Sequence, residues 1–178
     1  AASGYRKVDE IPFDFERRLL SVVAERDGEI LLIAKGAPES VLSHCTHYEN
    51  ASEVLPLDDA SRSAASRTCD VFGQRGWRVL AVAYRKVARQ PRYTTAEETD
   101  LMLAGFVSFA EPVLPGVADC RRTLERDGVK VKILSGDNEH VTRHVCGQVG
   151  LDAREVVTGA QIDSLGQDAL GALAERVT

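Results

Sequence analysis

The chain has 178 residues, with 22 lysines and arginines against 27 aspartates and glutamates, for a formal charge of −5. At 44% hydrophobic residues it is too apolar to remain disordered, yet its apolar runs reach only strand length, well short of the ~20 residues that a membrane helix needs. The charges are mildly acidic and interspersed, which excludes the basic stripe of a nucleic-acid binder, so no nucleic acid is expected among its partners.

The opening AASGYRKVDE has no initiator Met and no signal-peptide pattern, and reads as a piece of something longer. Residues 19–34, LLSVVAERDGEILLIA, place two β-branched-rich runs around Asp27-Gly28 and predict an antiparallel hairpin. The tetrapeptide ERDG returns at 125–128, where it closes a helical stretch and predicts Gly128 as the residue just past a helix end. After the hairpin, Pro38 suits a first helical position and Glu39 the first turn, so a short helix runs to about Cys45. Asp58 and Asp59 can cap a second helix reaching about Gln74, with Ala65, Cys69 and Phe72 on one face and Gly76 past its end. RVLAVAYRKV reads as a strand, QPRYTTAEETD as a polar surface loop, and LMLAGFVSF as another strand.

From 110 the pattern changes to alternation: helix 116–127, strand 129–134, helix 138–149, a short strand near 156–157, then the helix QDALGALAERV. Such alternation predicts a parallel sheet with crossover helices. The expected fold class is therefore α/β (α+β), an antiparallel sheet with flanking helices over 1–110 followed by a partial parallel β/α unit over 111–178, with Pro112 and Pro115 stiffening the join.

Three segments carry candidate chemistry. Lys35-Gly36 lies where a strand ends and a helix begins; the ammonium can meet an anion while glycine permits close approach, although the same spacing also suits an ordinary solvated lysine. Ser135-Gly136-Asp137-Asn138 joins a strand to a helix start, which fits either an anion cradle or a simple helix cap. In 11–18, Phe13 and Phe15 are two apart on an extended segment, so they either present an aromatic face to a flat base or serve as core residues of an edge strand. Trp77 and Arg78, opening a strand, are equally open to both readings.

The four cysteines Cys45, Cys69, Cys120 and Cys146 form no C-x-x-C pair and read as reduced thiols. His44 with His47 and His140 with His144 lack a third ligand at zinc-site spacing, so no metal site is assigned. Neither a P-loop, a dinucleotide fingerprint, a zinc-protease motif nor a serine elbow occurs.

Taken in order, FDFERRLLSVV, KGAPESVLSHC, GWRVLAVAYR and VKVKILSGDN resemble the cytosolic region of P-type cation-transporting ATPases over nearly the whole chain. FDFERR with LDAREVVTGAQIDSL is most similar to the bacterial magnesium-transporting branch. The resemblance implies a nucleotide-binding domain over 1–110 and part of a haloacid-dehalogenase-like phosphorylation domain over 111–178. It makes Phe13 the aromatic that stacks on adenine, Lys35 the lysine of the nucleotide pocket, Gly36 the point of close approach and Arg78 the arginine that reaches the phosphates. Ser135, Gly136 and Asp137 would hold the transferred phosphoryl, and Glu111-Pro112 would be the hinge, where the family more often has Asp-Pro.

ATP with Mg2+ is the implied cofactor pair. The implied partners are the remaining phosphorylation, actuator and transmembrane domains of the same chain, and the implied location of these 178 residues is the cytoplasmic face of the cell membrane. The phosphorylated aspartate of D-K-T-G-T and the later G-D-G-x-N-D motif are not among the 178 residues, so the chain is expected to bind nucleotide weakly and hydrolyse nothing. The alternatives are the calcium branch and a free-standing haloacid-dehalogenase-type phosphatase; the latter needs a D-x-D that does not occur.

Overall fold

A computed structural model describes residues 4–51, 53–110, 112–153 and 155–177. Two compact units emerge, unit 1 from residues up to Cys69 with Val79–Ser108, and unit 2 from Asp70–Arg78 with the residues from Phe109 onward.

The predicted hairpin is present: β2 (Leu19–Arg26) turns into β3 (Glu29–Gly36) through Asp27 and Gly28, whose φ angles of 51° and 83° are the left-handed pair that a two-residue turn needs. β1 (Arg6–Asp14) lies antiparallel to β2 at the sheet edge. α1 (Pro38–Ser43) follows β3, and β4 (Cys45–Asn50) and β5 (Glu53–Pro56) form a second hairpin. That hairpin escapes the sequence pattern because CTHYEN is mostly polar and exposed, leaving no apolar alternation to read. α2 (Asp59–Gln74), β6 (Trp77–Lys86) and β7 (Leu101–Ala110) complete the sheet, whose order is β1-β2-β3-β6-β7-β4-β5. β4 runs parallel to β7, and β3 antiparallel to β6.

One face of this sheet makes the core. Leu19, Val23, Leu32, Ala34, Ala81 and Ala83 alternate along their strands at zero exposure, and Val41 of α1 packs with them. Arg62 of α2 closes the end of α1, donating from Nη1 to the Leu42 carbonyl and from Nη2 to the Cys45 carbonyl at 3.1 Å.

Asp58 starts α2 by accepting the Ser61 hydroxyl and, at 2.8 Å, the Ser61 N–H. Those two bonds, the hydroxyl first, hold its carboxyl below the usual range. A lowered carboxyl contributes stability above its unfolded value, about 3.9, and loses it as pH falls through the folded value. Asparagine caps a helix as well but does not titrate. The stability gap between the parent and Asp58→Asn, read from urea midpoints, is therefore expected to be constant from pH 5 to 7 and to narrow as pH falls below about 4. A gap that does not narrow as pH falls from 4 contradicts this account.

In unit 2, α3 (Val117–Arg126), α4 (Glu139–Val149), α5 (Gly159–Asp163) and α6 (Gln167–Arg176) are the helices. The second ERDG behaves as expected: Gly128 has φ 81°, its N–H donates to the Glu125 carbonyl, and the Val129 N–H donates to Leu124. α4 buries Val141, Cys146 and Val149.

The strands expected at 129–134 and 156–157 are absent among the described residues, so the parallel sheet expected after 110 is not observed. VKVKIL alternates like a strand, but no neighbouring strand offers it a ladder, and Leu134 stands 97% exposed. Glu111 of the expected hinge lies outside the described residues, and Pro112 is exposed.

Candidate functional site

The register brings three predicted residues of unit 1 to one end of the sheet. Asp14 pairs with Leu19, Leu19 with Gly36, and Gly36 with Ala81; one step inward Leu20 pairs with Lys35 and Lys35 with Val82. Lys35 is exposed on the face opposite the core and has no carboxylate partner among the described residues.

Phe13, next to Asp14, owes its exposure to an irregularity in β1. Ile11 pairs with Ser21 and Asp14 with Leu19, so three steps of β1 stand against two of β2. In a regular strand Phe13 would share the face of Ile11, which is 5% exposed; the extra residue re-aims it, and it is 48% exposed. The core alternative for Phe13 is thereby set aside. Phe15 is not on the strand at all: it lies in the turn and meets Phe13 edge to face, with ring centroids 5.2 Å apart.

The turn 14–18 is tightly held. Asp14 Oδ1 accepts the N–H groups of Glu16 at 3.0 Å and Arg17 at 2.8 Å, while the Arg18 N–H donates to the Asp14 carbonyl at 2.7 Å. The Arg18 guanidinium reaches Glu39 Oε1 at 2.9 Å, tying FDFERR to the KGAPE segment. Arg17 reaches inward to Glu98, a carboxylate 1% exposed that also accepts the Ser21 hydroxyl at 2.7 Å. Sequence reasoning missed Glu98, which it placed in a polar surface loop.

Gly36 has a structural reason to be glycine. A Cβ there would stand 2.1 Å from the Arg18 carbonyl oxygen, so the close approach it permits is that of its own neighbouring strand.

In unit 2, Arg78 reaches Asp137 Oδ1 at 3.0 Å and lies over the Phe109 ring at 5.8 Å. Of the four residues at 135–138, Asn138 is the cap of α4, accepting the His140 N–H at 2.8 Å. Ser135 Oγ accepts the Asp137 N–H at 3.0 Å, leaving Ser135 and Gly136 exposed beside a cavity of about 510 Å³ whose walls mix apolar residues such as Cys146 and Leu170 with the charged Lys132, Glu139 and Glu155. Trp77 stacks on Phe72 at 5.7 Å. No group of three His, Cys, Asp or Glu residues suited to a metal ion occurs among the described residues, and no described helix is long and apolar enough to cross a membrane.

Residues 2–116 match the sequence profile described as P-type ATPase, cytoplasmic domain N. The chain belongs to this family. Its mixed α/β build, a seven-stranded sheet with flanking helices, is consistent with the P-type ATPase domain N. It is 44% identical over 99% of its length to the Magnesium-transporting ATPase, P-type 1 of Escherichia coli K12, and 42% identical over 98% to that of Salmonella typhimurium. The Calcium-transporting ATPase 1 of Lactococcus lactis is 26% identical over 97% of the chain. The chain spans 20% of the length of each of these three P-type ATPases.

Proposed function

We propose that these residues form the nucleotide-holding part of a magnesium-transporting P-type ATPase, a pump that would use ATP to move the cation across a membrane, with this portion on the cytoplasmic side. The observation that carries the reading is the re-aimed Phe13 ring at the same strand ends as the exposed Lys35, which has no carboxylate partner among the described residues. Phe13 stacks on adenine, Lys35 meets the phosphates, and Arg78 is read as the arginine that reaches the phosphates. Gly36 keeps the strand beneath Lys35 in place.

Supplied with ATP, Mg2+ would offset phosphate charge. Residues 111–178 are read as part of a haloacid-dehalogenase-like phosphorylation domain, with Ser135, Gly136 and Asp137 placed to hold a transferred phosphoryl. Identity of 42–44% to magnesium-transporting relatives, against 26% to the Lactococcus calcium one, favours the magnesium branch. The remaining phosphorylation, actuator and transmembrane domains of a longer chain would be its partners.

An ATP titration followed by NMR and calorimetry tests this. Shifts are expected around Phe13 and Lys35 without release of phosphate. Phe13→Ala should lose the stacking energy of an aromatic on a base, about 1–3 kcal/mol, and so bind about 5- to 150-fold more weakly. Lys35→Ala should weaken binding with an unchanged melting temperature, because its side chain is exposed. An ATP titration that leaves both residues unmoved refutes the proposal.

A further inference from the structure

Among the described residues, Glu98 is a buried carboxylate with no place in the roles above, and it stands 1% exposed just after a single 3-10 turn, Thr95–Glu97. Its two oxygens do different work. Oε1 accepts the Ser21 hydroxyl at 2.7 Å from inside β2, and Oε2 accepts Arg17 Nη1 at 2.5 Å. Arg17 does not stop there: its Nη2 donates to the Pro12 carbonyl at 2.9 Å, on the residue immediately before Phe13. On the other side of Phe13, Asp14 is fixed by the two N–H groups it accepts within the turn. The aromatic thus sits between two anchored neighbours, one of them held by a carboxylate more than eighty residues away along the chain.

From this connectivity we infer that Glu98 is a positioning residue for the Phe13 ring, and that it sets nucleotide affinity through the base and not through the phosphates. The inference rests on the proposed stacking role of Phe13. A bulged segment has more than one way to place its extra residue. Charge-assisted bonds from Arg17 select one of them, so the ring is oriented before a ligand arrives. Glu98 itself touches neither ring nor ligand.

Glu98→Gln keeps the shape and an acceptor for Ser21 but removes the charge that holds Arg17. In the 178-residue chain it is expected to weaken ATP binding about 5- to 10-fold while inorganic tripolyphosphate, which has no base, changes by less than twofold. Ser21→Ala, which leaves Arg17 clamped, should leave ATP affinity within twofold. The cycle with Phe13→Ala is the decisive arm: if Glu98 acts through the ring, Glu98→Gln adds no further loss once the ring is gone. Equal losses in both backgrounds, or a parallel loss of tripolyphosphate, overturn the inference.

A second readout needs no nucleotide. The edge-to-face contact of Phe13 with Phe15 should give ring-to-ring NOEs in the parent and lose them in Glu98→Gln. NOEs that survive the substitution overturn the inference whether or not ATP binds. Should the parent fail to bind ATP at all, the stacking reading falls and the ring contact alone decides the role of Glu98.

Discussion

Alanine at position 36 is expected to lower the stability of the chain by about 3 kcal/mol. The added Cβ would lie 2.1 Å from the Arg18 carbonyl oxygen and 3.1 Å from its carbon, both backbone atoms that cannot rotate away. Leu19 pairs with Gly36, and the Ala37 N–H donates to the same Arg18 carbonyl at 3.1 Å. Relief therefore requires parting the strands and giving up that bond. Overpacking costs about 1–3 kcal/mol and a lost hydrogen bond about 1 kcal/mol more. For a chain of this size, 3 kcal/mol corresponds to a fall of about 6–12 °C in melting temperature. Gly136→Ala, with nothing within 4 Å of its Cβ position, is the control and should melt with the parent. Should the two variants melt together, the crowding at Gly36 is not what it is described to be. Where Gly36→Ala does melt lower than the parent, an accompanying loss of nucleotide binding reports a displaced Lys35, not a missing ligand contact.

Glu98→Ala is the second destabilising change. Removing one partner of a buried ion pair costs about 3–5 kcal/mol, because the other charge is left without compensation. Arg17 keeps 24% of its side chain in solvent, which moves the expectation to the lower end, about 3 kcal/mol, with part of it from the Ser21 hydroxyl left without its acceptor. Replacing both charges by apolar groups of similar length, Arg17→Met with Glu98→Leu, should recover some of that loss, since the double variant leaves no lone charge inside. Urea unfolding of the single and double variants measures this. A double variant less stable than Glu98→Ala would show that the pair contributes more than the cost of breaking it.

The parts of the fold legible in the sequence are those where the local pattern and the tertiary context agree. Asp27-Gly28 between β-branched runs could form little else than a tight hairpin, and Asp58 before an apolar-periodic stretch starts a helix wherever it is packed. Residues 129–134 mark the opposite case: the alternation is strand-like, but a strand also requires a partner that no local pattern supplies.

Phe13 was legible as an aromatic candidate but not in its geometry. Counting two residues from Ile11 sends it to the core, and only the extra residue in β1 turns it out. Glu98 was invisible for another reason. Glu97, Glu98 and Asp100 look alike in sequence, but only Glu98 is buried, and its ion-pair partner is an arginine at position 17, far away along the chain. Lys35, Gly36 and the residues at 135–137 were singled out by motif, yet spacing alone did not distinguish a ligand site from a cap or a tight strand pair, and Asn138 and Gly36 each turn out to have such structural work.

The backbone passes between unit 1 and unit 2 after residues 69, 78 and 108. Exchanging one unit for that of a relative, as in a chimera, therefore needs three joints instead of one. A single joint near residue 110 would leave Gly73 and Gly76 from one parent against His140 and His144 from the other, and a Cβ at Gly76 would stand 2.2 Å from the His144 ring. Chimeras in this family should therefore be matched at 70–78 together with the residues that follow 108, or they will test a mismatched glycine in place of the property being swapped.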